Sequence, residues 1–485
     1  DQGAASLMVA VRPLVVLKYL GQLLLLLTLL DAVPLAASLF LGEGLFAARL
    51  AITTAGLLVL SIPLSRLPAP EQIQWNEALT VTVLAFALAP LPMAYPMMAH
   101  GISFIDAWFE ALSGVTTTGL SVLGSVEGRP ALFLFSRAWM QWYGGLGIAV
   151  LSVALLMRHQ VASKRLLESA GEDSTAETAR THALRVFVAY LVLTLLGLAA
   201  VWASDRDFFT ALLHTLAAVS TGGFSSFNDS IAGMPGAARA TVTAMSVAGA
   251  ISLPLYYQLA RARWRRVSSD PELRALVVAL VVVVSALTLL LHDMQGLDWS
   301  DAAANGLMLG GSAQSTAGFS SLNVTTLDPG VKLVLIAAMT IGGCTGSTAG
   351  GIKLVRLLIL LRLIQLALRR SAAPRRAIMH ANLGGERVDQ ESITDALLLL
   401  GLWLMVVVGS WFPFLLYGYA PLNGLFEVVS ATGTVGLSAG ISGPTLEPLL
   451  KVVLGVDMLF GRVEIVALLV ILYPPTWIGR RRERK

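Results

Sequence analysis

Long apolar runs alternate with short polar, glycine- and proline-containing segments along almost the whole chain. The first two runs, 14–40 and 45–64, are each long enough to cross a hydrocarbon core of ~30 Å at ~1.5 Å per residue. They predict a transmembrane helix pair. A three-part pattern then recurs four times: a long apolar run, a short amphipathic run ending in a glycine turn, and a second long apolar run. The outer runs are 75–97, 182–203, 273–292 and 392–416; the inner ones are 130–157, 235–261, 331–370 and 448–473. The pattern predicts an all-α polytopic membrane protein with four tandem helix–pore loop–helix repeats around a central pore, preceded by the helix pair. The expected divisions are 1–68 for the pair and 69–160, 161–266, 267–375 and 376–485 for the repeats. A non-helical turn at membrane depth needs protein around it to satisfy its backbone, and four helix pairs surrounding four turns supply that protein.

Composition agrees with a bilayer as solvent: of 485 residues, 56% are hydrophobic and 13% charged, and the mean hydropathy is +0.74. The net charge of +4 does not point to nucleic acid, because no nucleic-acid motif accompanies it and the basic residues gather in loops after the inner runs. These are Arg158, Lys164 and Arg165; Arg261, Arg263, Arg265 and Arg266; Arg369, Arg370, Arg375 and Arg376; and Arg480, Arg481, Arg482, Arg484 and Lys485. By the positive-inside rule that side is cytoplasmic, together with the C-terminus, so the pore loops enter from outside. Asp106, Glu110, Asp205, Asp207, Asp293, Asp298, Asp301 and Glu427 lie toward the opposite side. Two readings stand for them: entrance charges that concentrate cations, or helix-start acids favoured by the helix dipole. The one cysteine, Cys344, excludes an intrachain disulfide and a cysteine-based metal site. Because the chain opens at Asp1, a trimmed native N-terminus is expected.

The turns share one pattern, Thr-x-Gly-apolar-Ser: Thr117-Thr118-Gly119-Leu120-Ser121, Thr221-Gly222-Gly223-Phe224-Ser225, Thr316-Ala317-Gly318-Phe319-Ser320 and Thr434-Val435-Gly436-Leu437-Ser438. Close helix packing explains one such copy but not four at near-regular spacing. In a fourfold filter, backbone carbonyls of such turns replace the water around a dehydrated ion. The candidate ligands are therefore Thr117, Thr118, Gly119, Thr221, Gly222, Gly223, Thr316, Ala317, Gly318, Thr434, Val435 and Gly436. They offer carbonyl and hydroxyl oxygens without carboxylates, which suits a monovalent cation better than a divalent one.

Two further features lie on the inner runs. The segment Gly342, Gly343, Cys344, Thr345, Gly346, Ser347, Thr348, Ala349, Gly350 and Gly351 holds five glycines. At ~1 kcal/mol each against alanine they disfavour a continuous helix by ~5 kcal/mol, so the third inner helix is expected to break there. A movable barrier below the turns and a static kink both fit such a break. Arg462 sits in the last inner run among Met458, Leu459, Ile465 and Val466, with no acid on its own helix face. It fits either a cavity-facing charge that opposes a passing cation or a partner to a carboxylate on another helix. At an effective dielectric constant of ~20 and a separation of ~5 Å the opposition amounts to ~3 kcal/mol. Asp457 and Glu464 receive no role, and Lys353 and Arg356 are placed at the cytoplasmic start of a helix.

The four turns, the 342–353 segment ending Gly351-Ile352-Lys353, Gln141-Trp142-Tyr143-Gly144-Gly145-Leu146-Gly147 and Gly461-Arg462-Val463-Glu464 together resemble the Trk/Ktr/HKT superfamily of potassium transporters over essentially the whole chain. The extra N-terminal pair is similar to its TrkH-type branch. The resemblance implies channel-like uptake of K⁺, with Rb⁺ as a mimic, through the four turns, with 342–351 as gating loop and Arg462 as a barrier in the pore. It also implies a homodimer in the bacterial inner membrane, surrounded by membrane lipids. A TrkA-like cytosolic ring would carry the regulatory nucleotide, NAD or ATP/ADP, leaving no cofactor in this chain. In some plant relatives one filter glycine is serine and Na⁺ passes; here Gly119, Gly223, Gly318 and Gly436 are all glycine. Thr345 stands where many relatives have alanine. The alternative is a Na⁺- or H⁺-coupled secondary potassium symporter, a class that commonly shows inverted repeats rather than four parallel loops. No His-Glu-x-x-His pair occurs, and no catalytic residue and no other metal site is expected.

Overall fold

The computed structural model describes residues 10–69, 73–156, 179–372, 380–463 and 465–478. Arg158, Lys164, Arg165, Arg375, Arg376, Glu464 and the basic run at 480–485 lie outside the described residues.

Two helices, Pro13–Leu41 and Gly44–Ser65, open the chain, and two left-handed residues, Gly42 (φ 81°) and Glu43 (φ 73°), reverse it between them. Four units follow, each with an outer helix, a short re-entrant helix and an inner helix. In the first, the outer helix Trp75–Leu88 continues as Pro90–Met97, interrupted where Pro90 brings a ring and no N–H. The re-entrant helix is Phe104–Val115 and the inner one Ala131–Leu156. The second unit has Ala179–Asp205, Phe208–Val219 and an inner pair, Gly236–Gly249 and Leu253–Ala260. The third has Pro271–Gln295, Trp299–Gln314 and an inner helix split into Pro329–Ile341 and Leu354–Ala372. The fourth has Gln390–Leu416, Pro421–Thr432, Pro448–Val463 and Ile465–Leu472.

The helix starts have local causes. Ser103 accepts a hydrogen bond from Asp106 N, Asp207 from Thr210 N, Asp270 from Leu273 N and Asp389 from Ser392 N, each satisfying a donor that the first turn leaves open. Proline leads several others, where its missing N–H is harmless. The long helices turn apolar side chains outward; Val277, Val278, Val281 and Val282 of one outer helix are exposed. Such a surface demands hydrocarbon around it. Six helices among the described residues are long and apolar enough to cross a membrane, or seven with the bent inner pair of the second unit. The molecule is an integral membrane protein.

Two features depart from the sequence expectation. The run 235–261 was expected to be one inner helix, but its two halves meet at 95° across Ala250–Ser252. Pro254 cannot supply an N–H to a continuing helix, and the carbonyls freed at the break are taken by the 342–351 segment described below. Between the third and fourth units, Asn382–Leu383 pairs antiparallel with Glu386–Arg387 in a two-stranded hairpin, with Asn382 opposite Arg387. The break in the third inner run falls where the glycines place it.

The N-terminal pair packs without space at Gly21, where an added Cβ would lie 2.5 Å from Leu64 Cβ and 2.6 Å from Ser65 N. Gly56 has nothing within 4 Å of such an atom. Gly21→Val is therefore expected to destabilise the protein by ~1–3 kcal/mol through overpacking, while Gly56→Ala is close to neutral. Thermal unfolding of the detergent-solubilised protein measures both.

Candidate functional site

Each re-entrant helix ends in the same way. Thr117 N donates to Gly114 O and Thr118 N to Ser113 O, both at 2.9 Å. The second unit repeats this from Thr221 to Ala218 and from Gly222 to Ala217, the third from Thr316 to Ala313 and from Ala317 to Ser312, and the fourth from Thr434 to Ala431 and from Val435 to Ser430. The pairing is the usual glycine-led helix cap, yet threonine occupies the left-handed position in all four, with φ of 52°, 54°, 57° and 50°. A second left-handed residue follows two positions later at Gly119, Gly223, Gly318 and Gly436. The last turns of the helices are thereby closed, and the carbonyls of the turn residues are directed elsewhere.

The four turns form a closed ring. A Cβ on Gly119 would stand 2.1 Å from the Gly222 carbonyl oxygen, one on Gly223 2.0 Å from that of Ala317, one on Gly318 2.0 Å from that of Val435, and one on Gly436 2.2 Å from that of Thr118. Each turn thus lays one carbonyl against the glycine of its neighbour, and the fourth returns to the first. Any side chain at a ring glycine meets backbone at about 2 Å and sits at positive φ, so glycine alone fits there without shifting the ring. Thr117 and Thr434 keep buried hydroxyls that have no protein partner among the described residues. Thr316 Oγ1 accepts from Gly350 N at 2.7 Å.

The segment after each turn is pinned to its own re-entrant helix. Glu110 accepts from Ser121 Oγ and Val122 N, both at 2.7 Å, and pairs with Arg137 at 3.0 Å. Glu427 accepts from Ser438 Oγ at 2.8 Å, Ala439 N at 3.0 Å and Ser442 N at 2.8 Å. In the second unit His214 Nε2 lies 2.9 Å from Ser225 Oγ. The partner sits eleven residues before the motif serine in all three units, a spacing visible in the sequence and overlooked there. In the third unit that place is taken by Leu309. Glu110 and Glu427 are fully buried and so are neither entrance charges nor helix-start acids. Asp207 is a helix cap, and Asp106 is held 2.5 Å from Lys451.

Inner-helix glycines let those helices reach the base of the ring. Cβ atoms on Gly144, Gly249 and Gly461 would lie 2.0, 2.5 and 2.1 Å from the carbonyl oxygens of Val115, Val219 and Thr432. In the third unit Gln314 Nε2 instead donates to Gly342 O at 2.7 Å. Gln141, from the first inner helix, donates through Nε2 to Gly222 O at 2.6 Å and accepts from Phe224 N at 3.1 Å.

The 342–351 segment lies against this base. Cys344 N donates to Ala250 O at 3.0 Å, Leu253 N to Gly346 O at 3.0 Å and Thr348 N to Gly249 O at 3.2 Å, so the break in the second inner helix and the break in the third satisfy each other. Thr345 N donates to Glu272 at 2.6 Å, and Ser347 Oγ to Cys344 O at 2.5 Å. Leu354 N donates to Gly343 O and Gly351 N to Gly433 O, both at 3.1 Å. The Ala349 carbonyl accepts from Lys353. Arg462 is buried, and its two terminal nitrogens reach Thr348 O at 2.9 Å and Gly144 O at 3.1 Å. Among the described residues no carboxylate pairs with it; Asp457 accepts from Ser410 Oγ at 2.6 Å. A cavity of about 50 Å³ lies alongside, lined in part by Gly350, Lys353, Arg356 and Arg462.

Known proteins share this architecture. A halomonad Trk system potassium uptake protein TrkH, from Halomonas elongata, is 29% identical over 95% of this chain and 98% of its own length. An uncharacterized cation transporter of Methanocaldococcus jannaschii is 26% identical over 94% of each chain. The crystal structure of the potassium transporter TrkH from Vibrio parahaemolyticus superposes with a TM-score of 0.86 at 26% identity, covering 96% of this chain and 100% of that one. The profile described as TrkH, cation transport protein, matches residues 45–474. That length holds the four ring-forming turns, the paired helix breaks and nearly all of the second helix of the N-terminal pair, and the chain belongs to the TrkH family of cation transport proteins.

Proposed function

We propose that this protein takes up K⁺, and Rb⁺ in its place, by channel-like flow through the ring of Thr117 to Gly119, Thr221 to Gly223, Thr316 to Gly318 and Thr434 to Gly436. The observation that carries the reading is the closure of the ring, each carbonyl set against the next turn's glycine. Uncharged oxygens in a buried ring replace the hydration shell of a weakly hydrated monovalent cation without trapping it. The 342–351 segment is the gate: it lies at the inner face of the ring, bonded to Thr316 and Gly433. Arg462 is the barrier, acting both through its charge and by tethering the gate at Thr348.

Family membership supports the wider assignment. The unit boundaries fall near residues 68, 160, 266 and 375. The protein acts as a homodimer in a bacterial inner membrane with its C-terminus cytoplasmic. A TrkA-like cytosolic ring, carrying NAD or ATP/ADP, moves the gate through the helix Leu354–Ala372, which continues directly from it.

Serine in place of a ring glycine puts a side chain where a neighbouring carbonyl stands at about 2 Å, as for Gly223 and Gly318. Gly223→Ser or Gly318→Ser is expected to lower the preference for K⁺ over Na⁺, read as increased Na⁺ competition with ⁸⁶Rb⁺ uptake into proteoliposomes. Wild-type competition in all four glycine variants would remove these turns from the ion path.

Removing Arg462 deletes a charge opposing the ion by ~3 kcal/mol, equivalent to at most about a hundredfold in occupancy, and frees Thr348. Arg462→Ala is expected to raise ⁸⁶Rb⁺ flux while Na⁺ competition stays unchanged. A stably folded variant with unaltered flux would make Arg462 a structural tether only.

A further inference from the structure

The four turns of the ring are not built alike. In the first, third and fourth, the residue before the glycine carries its own side chain, Thr118, Ala317 or Val435, and all three are buried. The second has Gly222. The space that a side chain there would fill holds the carboxamide of Gln141, which a Cβ on Gly222 would meet at 2.4 Å (Cδ), 2.6 Å (Oε1) and 2.8 Å (Nε2). Gln141 is itself fully buried. Its amide nitrogen donates to Gly222 O, and its oxygen accepts from Phe224 N, so the carboxamide bridges the turn on both sides of Gly223. Among the described residues, the ring carbonyls of Thr118, Ala317 and Val435 accept no protein hydrogen bond.

We propose that Gln141 is a positioning and specificity-determining residue: its carboxamide replaces the side chain that Gly222 lacks and ties one of the four ring carbonyls, so that the ion meets three free oxygens and one already engaged. The inference rests on the ring being the ion path. A carbonyl that already accepts an N–H has one lone pair committed and a positive dipole end beside it, so it answers a cation less strongly than its three neighbours. The number and field strength of the carbonyls are, beside the size of the ring, what can set its selectivity. Releasing the Gly222 carbonyl changes that field without touching a ring residue.

Four variants of the full-length protein in proteoliposomes test this, with ⁸⁶Rb⁺ uptake, its competition by K⁺ and Na⁺, and the thermal midpoint as readouts. Gly222→Ala alone is expected to lose uptake, because its Cβ collides with Gln141. The double variant Gln141→Ala/Gly222→Ala gives the second turn the alanine that Ala317 gives the third, and is expected to recover both midpoint and uptake. Its preference for Rb⁺ over Na⁺ is expected to shift by about tenfold, the net effect of one hydrogen bond on the carbonyl. Gln141→Met, which keeps the volume and loses both hydrogen bonds, is expected to fold and to show the same shift. The fourth variant, Gly436→Ser, lies far from Gln141 in sequence and reports on the ring itself.

Uptake that stays lost in the double variant overturns the replacement role of Gln141. Recovered uptake with wild-type preference in both the double variant and Gln141→Met overturns the specificity role. In either case an altered preference in Gly436→Ser leaves the ring as the ion path, whereas wild-type preference there rejects the ring reading itself.

Discussion

Backbone that is not helical has no water to bond with at membrane depth, and the arrangement of this protein follows from that constraint. The chain leaves the helix at the four turns and again at two inner-helix breaks. At the turns, the first two N–H groups fold back onto the re-entrant helix, so the chain can reverse while its carbonyls remain available to one another around a ring. At the breaks, the second and third inner helices exchange their orphaned groups, Ala250 with Cys344, Leu253 with Gly346 and Gly249 with Thr348. Neither break is stable alone in hydrocarbon. Their pairing satisfies much of the backbone of the glycine segment that lies beneath the ring, and ties that segment to the second inner helix as well as the third.

The near-fourfold ring is held by unequal supports. Glutamate pins the chain after the first and fourth turns, histidine after the second, and a leucine occupies the same place in the third. A buried Arg137–Glu110 pair strengthens the first. Gln141 attends only the second turn, and Gln314 joins only the third to the glycine segment. A single chain supplies the four quarters, so each has been free to acquire a separate task. The third bears the glycine segment that bonds to the second inner helix, and the fourth brings Arg462 against that segment.

Much of this was legible in the sequence, because repeated apolar runs and four copies of one turn are strong, redundant signals. The helix pair, the outer and re-entrant helices and the break at 342–351 all follow from periodicity and from glycine's poor helix propensity. The break at Ala250–Ser252 was not legible: one proline in an otherwise apolar run often only kinks a helix, and what opens this one is a partner almost a hundred residues away. The roles of Glu110, Glu427 and Gln141 were hidden for a similar reason. A carboxylate on an amphipathic run looks the same whether it faces water or folds inward onto its own loop, and only the eleven-residue spacing to the motif serine, read across units, distinguishes the two. Arg462 stood out as a charge in an apolar run, but its contacts with two backbone carbonyls, in place of an acid, come from the tertiary fold.

The central claim is that ions flow through a ring that remains fixed in the membrane, without being carried by a second gradient. Flux of ⁸⁶Rb⁺ into proteoliposomes holding the purified protein tests it most directly, with the K⁺ gradient, membrane potential, Na⁺ gradient and pH gradient each imposed separately. The account predicts that net flux always follows the electrochemical gradient of K⁺ and Rb⁺ and reverses where that gradient reverses, whatever the Na⁺ or pH difference. Uphill accumulation of Rb⁺ driven by Na⁺ or H⁺ alone would contradict it and identify a coupled carrier.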